Sequence, residues 1–562
     1  MKTILIRVDG DHHIGTGHVM RMLALAQAWQ RRGGAVVFCC VLLPHVLQQK
    51  LAATGIEVIR LEVNPGSADD AESVVRIAKD REVVAIACDN YHFTLPFQKI
   101  VSSLEAQFLV VVDYPVAEPF DCDIILNQNL GSTCGDFPAV AAASKVLIGP
   151  TFTLLRQEFV ERRADLSGKK ISPNEPRKIL VTFGGADPHN TTTKVIDILG
   201  RVADNEAWEV KVVVGGANPH LAEIERLVMD YSSIELLFDV ADMSDLIDWC
   251  DLAISAAGST VWELCLFGVP MVLISIAENQ NGIIQAMDAA GAAINLGVES
   301  EIESSNLERA VREIILDVER WNKMASCAES LVDGAGADRV AAALDANLRI
   351  SLVTAGKGWV RGMLSDFVDR LRTSGHKVTI VYDVNEIPEG DIALFLSCWS
   401  LVPPEILSRS AHNLVVHASD LPAGKGWSPM TWQIIEGKNL IPLTLFEAQA
   451  TVDSGRIYST DFIEFEGHEL LQEMRVALME KSYQLCERFI ENYPEVSVTG
   501  KMQSGEESFY RRRESSDSQL EADQSIASQF NLLRTVDNDY YPAFFNYQGC
   551  RYKLRIEKSD EG

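Results

Sequence analysis

The chain is predicted to be α/β throughout: two open units of parallel strands with crossover helices, then a third α/β unit with a carboxy-terminal subdomain. Three observations predict it. An apolar run at the amino end, Thr3-Ile-Leu-Ile-Arg7-Val8, stops at a Gly-rich loop that opens directly into an amphipathic helix. A second alternating unit starts at Lys178-Ile-Leu-Val-Thr-Phe183-Gly184-Gly185, and a third at Arg349-Ile-Ser-Leu-Val-Thr354-Ala355-Gly356.

In the first unit (1–160) strands are expected at 3–8, 35–42, 83–89, 108–113, 124–127 and 145–148, with helical patterns between several of them. A charged, Pro-containing stretch at 161–176 reads as an interdomain connection. The second unit (177–347) places strands at 209–214, 234–237, 252–255 and 270–274 and closes in a helix running to about Asn347. Two such units joined by a linker predict a cleft, with ligand at the carboxyl ends of the strands. The third unit (350–562) begins with its strand, a helix over 359–374, and strands at 377–382 and 391–397. Its polar run at 501–518 reads as a mobile loop.

A net charge of −29 opposes nucleic acid and anionic membranes as partners, because both need a basic footprint. Arg511, Arg512 and Arg513 are balanced by Glu506, Glu507 and Glu514 and make no RNA patch. No apolar stretch approaches a membrane span, and the amino terminus runs straight into a strand, which predicts a cytoplasmic protein. The eleven cysteines, Cys39, Cys40, Cys88, Cys122, Cys250 and Cys398 among them, fall mostly inside apolar patterns without metal spacing. They read as buried thiols, and no metal is expected. His12 and His13 beside Asp11 read as solvated or ligand-facing, and Trp399, Trp427 and Trp432 as core packing.

His18 sits where the Gly-rich loop, with Gly15 and Gly17, becomes the helix. The positive end of the helix dipole disfavours an imidazolium there. A neutral histidine beside exposed glycine N–H groups can hold an anionic sugar nucleotide and deprotonate water; the alternative is a histidine that merely caps the helix. Further signatures end other strands: Asp89-Asn90-Tyr91, Thr182-Phe183-Gly184-Gly185-Ala186-Asp187, the 238–243 segment, and 255–263. In the last, Gly258 relaxes the turn, Ser259 or Thr260 can cap the helix, and the first-turn N–H groups suit a diphosphate. Glu263, one turn in, is placed to accept from ribose hydroxyls or to close a capping box.

On Arg7-x-Asp9, Gly15-x-Gly17-His18, Arg21, Asp89-x-Tyr91, Phe183-Gly184-Gly185-x-Asp187, the 255–263 segment and Glu278-Asn279-Gln280, residues 1–347 resemble the UDP-sugar hydrolases of pseudaminic acid biosynthesis. These release UDP from UDP-2,4-diacetamido-2,4,6-trideoxy-β-L-altropyranose. More distantly the span is similar to GT-B glycosyltransferases such as the MurG family, a pair of Rossmann-type domains. The resemblance implies hydrolysis without a cofactor, inverting the anomeric centre, with His18 as base and Tyr91 and Asn279 near the sugar. By the GT-B analogy Val240 reads uracil through its backbone, Glu263 the ribose, and the amides of 258–260 the pyrophosphate. The rival readings are a glycosyltransferase that passes a UDP-amino sugar to another acceptor, and a UDP-sugar-binding scaffold whose third unit is inactive.

The third unit carries His417-Ala418-Ser419-Asp420-Leu421-Pro422 and, downstream, Asp453-Ser454-Gly455-Arg456-Ile457. On these motifs residues 350–562 resemble folate-dependent formyltransferases. The resemblance implies N10-formyltetrahydrofolate as cofactor, with His417 and Asp453 assisting attack of an amine. The family's asparagine two residues before the histidine is Val415 here, and Asn413 on the same strand face lies about 7 Å short of that slot. The unit therefore reads either as a formyltransferase for an amino sugar or as a repurposed binding module, with the enzymes of nonulosonic acid synthesis as pathway partners.

Overall fold

The computed structural model describes residues 2–11, 15–115, 118–137, 145–164, 177–185, 187–206, 208–216, 218–240, 242–354, 359–398 and 401–559. His12, His13, Trp399 and the 165–176 part of the expected connection lie outside them; 161–164 continue the helix Gln157–Ala164. The chain divides into two compact units, Met1–Asp345 and Ala346–Gly562.

The first unit holds two parallel sheets. One contains β1 (Thr3–Val8), β2 (Ala35–Cys40), β3 (Glu57–Arg60), β4 (Val83–Asp89), β5 (Gln107–Val111), β6 (Ile124–Asn127) and β7 (Lys145–Ile148), in the order β3-β2-β1-β4-β5-β6-β7. The other contains β8 (Lys178–Thr182), β9 (Glu209–Val214), β10 (Ile234–Phe238), β11 (Leu252–Ala256), β12 (Met271–Ser275) and β13 (Ala293–Val298), in the order β10-β9-β8-β11-β12-β13. Both are doubly wound, and the order reverses between β1 and β4 and between β8 and β11. Loops leaving such neighbours part company and open a crevice. The residues after β1, β4 and β11 are those singled out from sequence.

Sequence patterning missed β3 and β13. Both are edge strands; β3 is four residues with charged ends, and β13 contains Gly297. The helix Gly336–Asp345, grouped by sequence with the second half, packs in the core of the first. Ala337, Val340, Ala341 and Leu344 share one apolar cluster with Ile4, Ile6 and Val8. Arg32 adds an ion pair to Asp345 at 2.9 Å. The chain thus crosses back, because that helix's apolar stripe fits the first sheet's helical layer.

The second unit is built on a mixed sheet. β14 (Arg349–Val353), β15 (Lys377–Val381), β16 (Gly390–Phe395) and β17 (Ser410–His417) run parallel in the order β15-β14-β16-β17. After the short β18 (Lys425–Gly426), β19 (Leu440–Glu447) and β20 (Ile457–Glu464) add antiparallel strands beside β17. The expected 359–374 helix is a 3₁₀ segment, Trp359–Met363, followed by an α-helix, Ser365–Thr373. The polar run at 501–518 is fastened rather than loose. Its β21 (Phe509–Tyr510) pairs with β18, Gly424 N donates to Ser508 Oγ at 2.8 Å, and Lys425 pairs with Glu507 at 2.6 Å. These partners lie about eighty residues upstream, out of reach of local pattern. A small sheet of β22 (Gln519–Leu520), β23 (Ala543–Tyr547) and β24 (Cys550–Leu554) completes the unit.

Candidate active site

β1 delivers its chain into the Gly-rich loop, where Gly15 has φ +84, a conformation that favours glycine, and Gly15 N donates to Asp11 O at 2.9 Å. The helix Gly17–Arg31 then sets His18 in its first turn and Arg21 one turn on. Asp89 stands at the end of β4, beside Val8. Its Oδ1 accepts from His18 Nδ1 at 2.8 Å, and Arg21 donates to both its oxygens at 2.6 Å. Arg21 also reaches the two oxygens of Asp113, at 2.5 and 3.0 Å.

Asp89 and Arg21 are buried. Burial opposes ionisation of Asp89, but the charges and hydrogen bonds of Arg21 and His18 outweigh it and hold the carboxyl at about 2. An ionised Asp89 requires the proton of His18 on Nδ1. Nε2 then carries the lone pair, and the ring's hydrogen bonds to described residues are all made at Nδ1.

Tyr91, just past β4, meets the His18 ring edge-on at 5.1 Å and donates to Asp113 Oδ2 at 3.2 Å. Burial first and the Asp113 charge second raise its phenol above the ordinary range, so it stays a neutral donor. Asn279, after β12, donates to Tyr91 Oη at 3.2 Å. A cavity of about 140 Å³ is walled by Gly17, His18, Tyr91, Asn279, Gly258 and Ser259. Trp262, Asp113, Gln128 and Asn129 also line it. Across it a Cβ added to Gly17 would lie 3.7 Å from Ser259 Oγ.

The remaining sequence-predicted positions are not in that wall. Gly15 and Gly184 shape loops; Gly184 has φ +78. Val240 is partly buried against the apolar cluster that contains Val213, Ile247 and Val261. Thr260 begins the helix Thr260–Leu266, whose N-cap, Ser259, makes no side-chain capping bond, so neither hydroxyl caps it. Glu263 closes no capping box. It is half-buried with Arg156 Nη2 at 3.5 Å, and desolvation raises its pKa against the opposing pull of Arg156. Asp113 and Arg156 were not singled out from sequence. Asp113 had a readable signal, a carboxylate directly following an apolar strand, as Asp89 has at the end of β4.

The second unit contains a larger cavity of about 1120 Å³, slightly above the range of about 300–1,000 Å³ common for ligand pockets. His417, at the end of β17, and Asp453 line it. His417 Nε2 lies 2.9 Å from Gly424 O and 3.8 Å from Asp453 Oδ2, which accepts from Gly426 N at 2.9 Å. Val415 lines the cavity and Asn413 does not. Regular β17 pairing keeps Asn413 in register, and its amide donates to Leu407 O at 2.9 Å. No bulge carries it toward His417. Trp427, expected in the core, is 38% exposed at the cavity's edge; it directly follows β18, and its backbone N–H donates to Tyr510 O at 3.0 Å.

For formyl transfer from N10-formyltetrahydrofolate these residues do not fit. The amide that would polarise the formyl carbonyl is absent, and the histidine nitrogen nearest Asp453 is engaged by a backbone carbonyl.

Among the described residues no helix is long and apolar enough to cross a membrane, and no group of His, Cys, Asp and Glu side chains is gathered to hold a metal.

Residues 179–340 match the model of the glycosyltransferase family 28 C-terminal domain. The chain is 25% identical over 340 residues to the spore coat polysaccharide biosynthesis protein SpsG of Bacillus subtilis, covering 60% of this chain and 96% of that protein. It is 23% identical over 278 residues to the UDP-2,4-diacetamido-2,4,6-trideoxy-β-L-altropyranose hydrolase of Campylobacter jejuni, covering 49% of this chain and 93% of that enzyme. Over another stretch, of 178 residues, it is 26% identical to the methionyl-tRNA formyltransferase of Clostridium perfringens. That match covers 31% of this chain and 57% of the enzyme, so the chain spans a little over half of the enzyme's length.

Proposed function

We propose that residues 1–345 form a hydrolase of a UDP-linked amino sugar, with UDP-2,4-diacetamido-2,4,6-trideoxy-β-L-altropyranose as substrate. The observation that carries this reading is the buried Asp89–His18 pair, which leaves Nε2 of a cavity-lining histidine without a partner among the described residues. The likeness to the Campylobacter jejuni hydrolase supports the substrate class. In this reading His18 Nε2 takes a proton from water as the water oxygen attacks the anomeric carbon. The bond from that carbon to the UDP oxygen breaks with its electron pair on the phosphate, and a single displacement inverts the centre. Asp89 fixes the tautomer and stabilises the imidazolium that forms, while Arg21 keeps Asp89 ionised. Tyr91 and Asn279, bonded to each other, orient the water and the acetamido groups. Backbone N–H groups around 258–260 meet the phosphate charge, and Glu263 accepts from the ribose by exchanging its contact with Arg156.

The match to a glycosyltransferase domain favours one rival, transfer of the sugar to an acceptor other than water. Proton NMR of the purified chain with the named UDP-sugar, without acceptor and with chelator, tests both. Free inverted sugar and UDP, lost in His18→Ala, are expected. An intact substrate that turns over only when an acceptor is added establishes the transferase instead.

For the second unit we derive no formyl-transfer step and read the cavity as a ligand-binding site. Val415 in the amide slot carries that reading. Absence of formyl transfer from N10-formyltetrahydrofolate to an amino sugar, with the amino sugar still bound, is the expected result.

A further inference from the structure

We infer that the cavity of the second unit receives a nucleoside diphosphate, its phosphates held by Arg512 and Arg513 and its base laid against Trp427 or Tyr541. The inference rests on reading that unit as a binding unit, not on hydrolysis by the first. In a chain of net charge −29, guanidinium groups normally find carboxylates. Arg475 does, pairing with Asp537 at 3.0 Å on the wall of this cavity, and Arg511 pairs with Asp517. The next two arginines do not.

Arg512 lines the cavity with its guanidinium 4.9 Å over the Trp427 ring and makes no ion pair with any described residue. Arg513 is half-buried. Its hydrogen bonds are long, 3.3 Å to Thr535 O and 3.5 Å to Asp517 O and Ser518 Oγ, and its Nε has no partner. Such under-satisfied donors at a cavity wall suit the oxygens of an anion, and the guanidinium fork suits phosphate.

The acids of the cavity do not compete for them. Asp537 is held by Arg475, and Asp453 by Gly426 N near His417. The aromatic edge argues for a base beside the phosphates. Trp427 is 38% exposed and Tyr541 42%, and both line the cavity. Flat faces of this kind stack bases without reading sequence. The acidic chain disfavours a polynucleotide as the source of the same chemistry, since each further phosphate would meet repulsion.

Isothermal titration of the full chain with UDP tests this. Two binding events are expected. Arg512→Ala/Arg513→Ala weakens one at least tenfold and leaves UDP-sugar turnover by the first unit unchanged. Glu263→Ala weakens the other. Arg512→Ala alone, at an exposed position, shifts the same event in the same direction, and a wild-type melting temperature separates this from misfolding. One event abolished by the arginine variant and untouched by Glu263→Ala supports the inference while removing UDP from the first unit. One event abolished only by Glu263→Ala overturns it. Arginine-dependent binding of labelled tRNA with no arginine-dependent UDP event also overturns it, in favour of an RNA end.

Discussion

The two cavities differ in how their histidines are held. In the first unit His18 Nδ1 donates a hydrogen bond to a carboxylate that Arg21 keeps charged, and Nε2 bonds to no described residue. In the second, His417 Nε2 faces a backbone carbonyl at 2.9 Å and its carboxylate neighbour stands off at 3.8 Å. In the proposed hydrolysis the first arrangement prepares a base; the second fixes a side chain in a wall. Their sizes run the other way, about 140 Å³ against about 1120 Å³. Volume therefore marks where a ligand fits, and hydrogen-bond direction marks where a proton can move.

The largest effect expected is on turnover in the first unit. His18→Ala removes the base and lowers kcat by about a thousandfold, with KM nearly unchanged, in a UDP-release assay. Asp89→Asn comes next, since an amide can hold the ring in the wrong tautomer and leaves Arg21 half paired. A loss of a hundredfold or so in kcat is expected, with destabilisation of about 3 kcal/mol in denaturant titration.

Asp89 also sets an acid limit. Its folded pKa of about 2 lies below that of an ordinary aspartate, so the fold favours the ionised form. That stability is fully present above about pH 4 and is lost as pH falls from there toward 2, on the order of 2 kcal/mol. Acid titration of Asp89→Asn should show a flatter profile in this window. An unchanged profile would mean that other carboxylates set the limit.

Glu263→Gln is expected to raise KM for the UDP-sugar about tenfold with kcat held, as loss of a ribose contact requires. The smallest effect is expected of Val415→Asn, which puts an amide on the wall of the larger cavity. It should change stability by about 1 kcal/mol, read as a melting shift, because the side chain is only half-buried and borders open space. A loss of several kcal/mol would show that Val415 serves the core instead, and would sharpen the contrast between the two units.

Local pattern determined much of this protein. Strands β1, β4, β6, β7 and β9 fall at the residues their apolar runs predict; His18 and Tyr91 lie in the motifs after β1 and β4, and Gly258, Ser259 and Asn279 in those after β11 and β12. Apolar alternation and glycine punctuation are local properties, so a linear reading suffices for them. Tertiary structure decided what those residues face. Asp113 enters the site through β5 lying beside β4, and the helix Gly336–Asp345 joins the first core through contacts more than three hundred residues away in sequence. The direction of the His417 ring and the placing of Arg512 over Trp427, with no ion pair to a described residue, likewise depend on neighbours that no spacing encodes. Hydrogen bonds and ion pairs form between whatever surfaces the fold brings together, and that is set only when the sheets have packed.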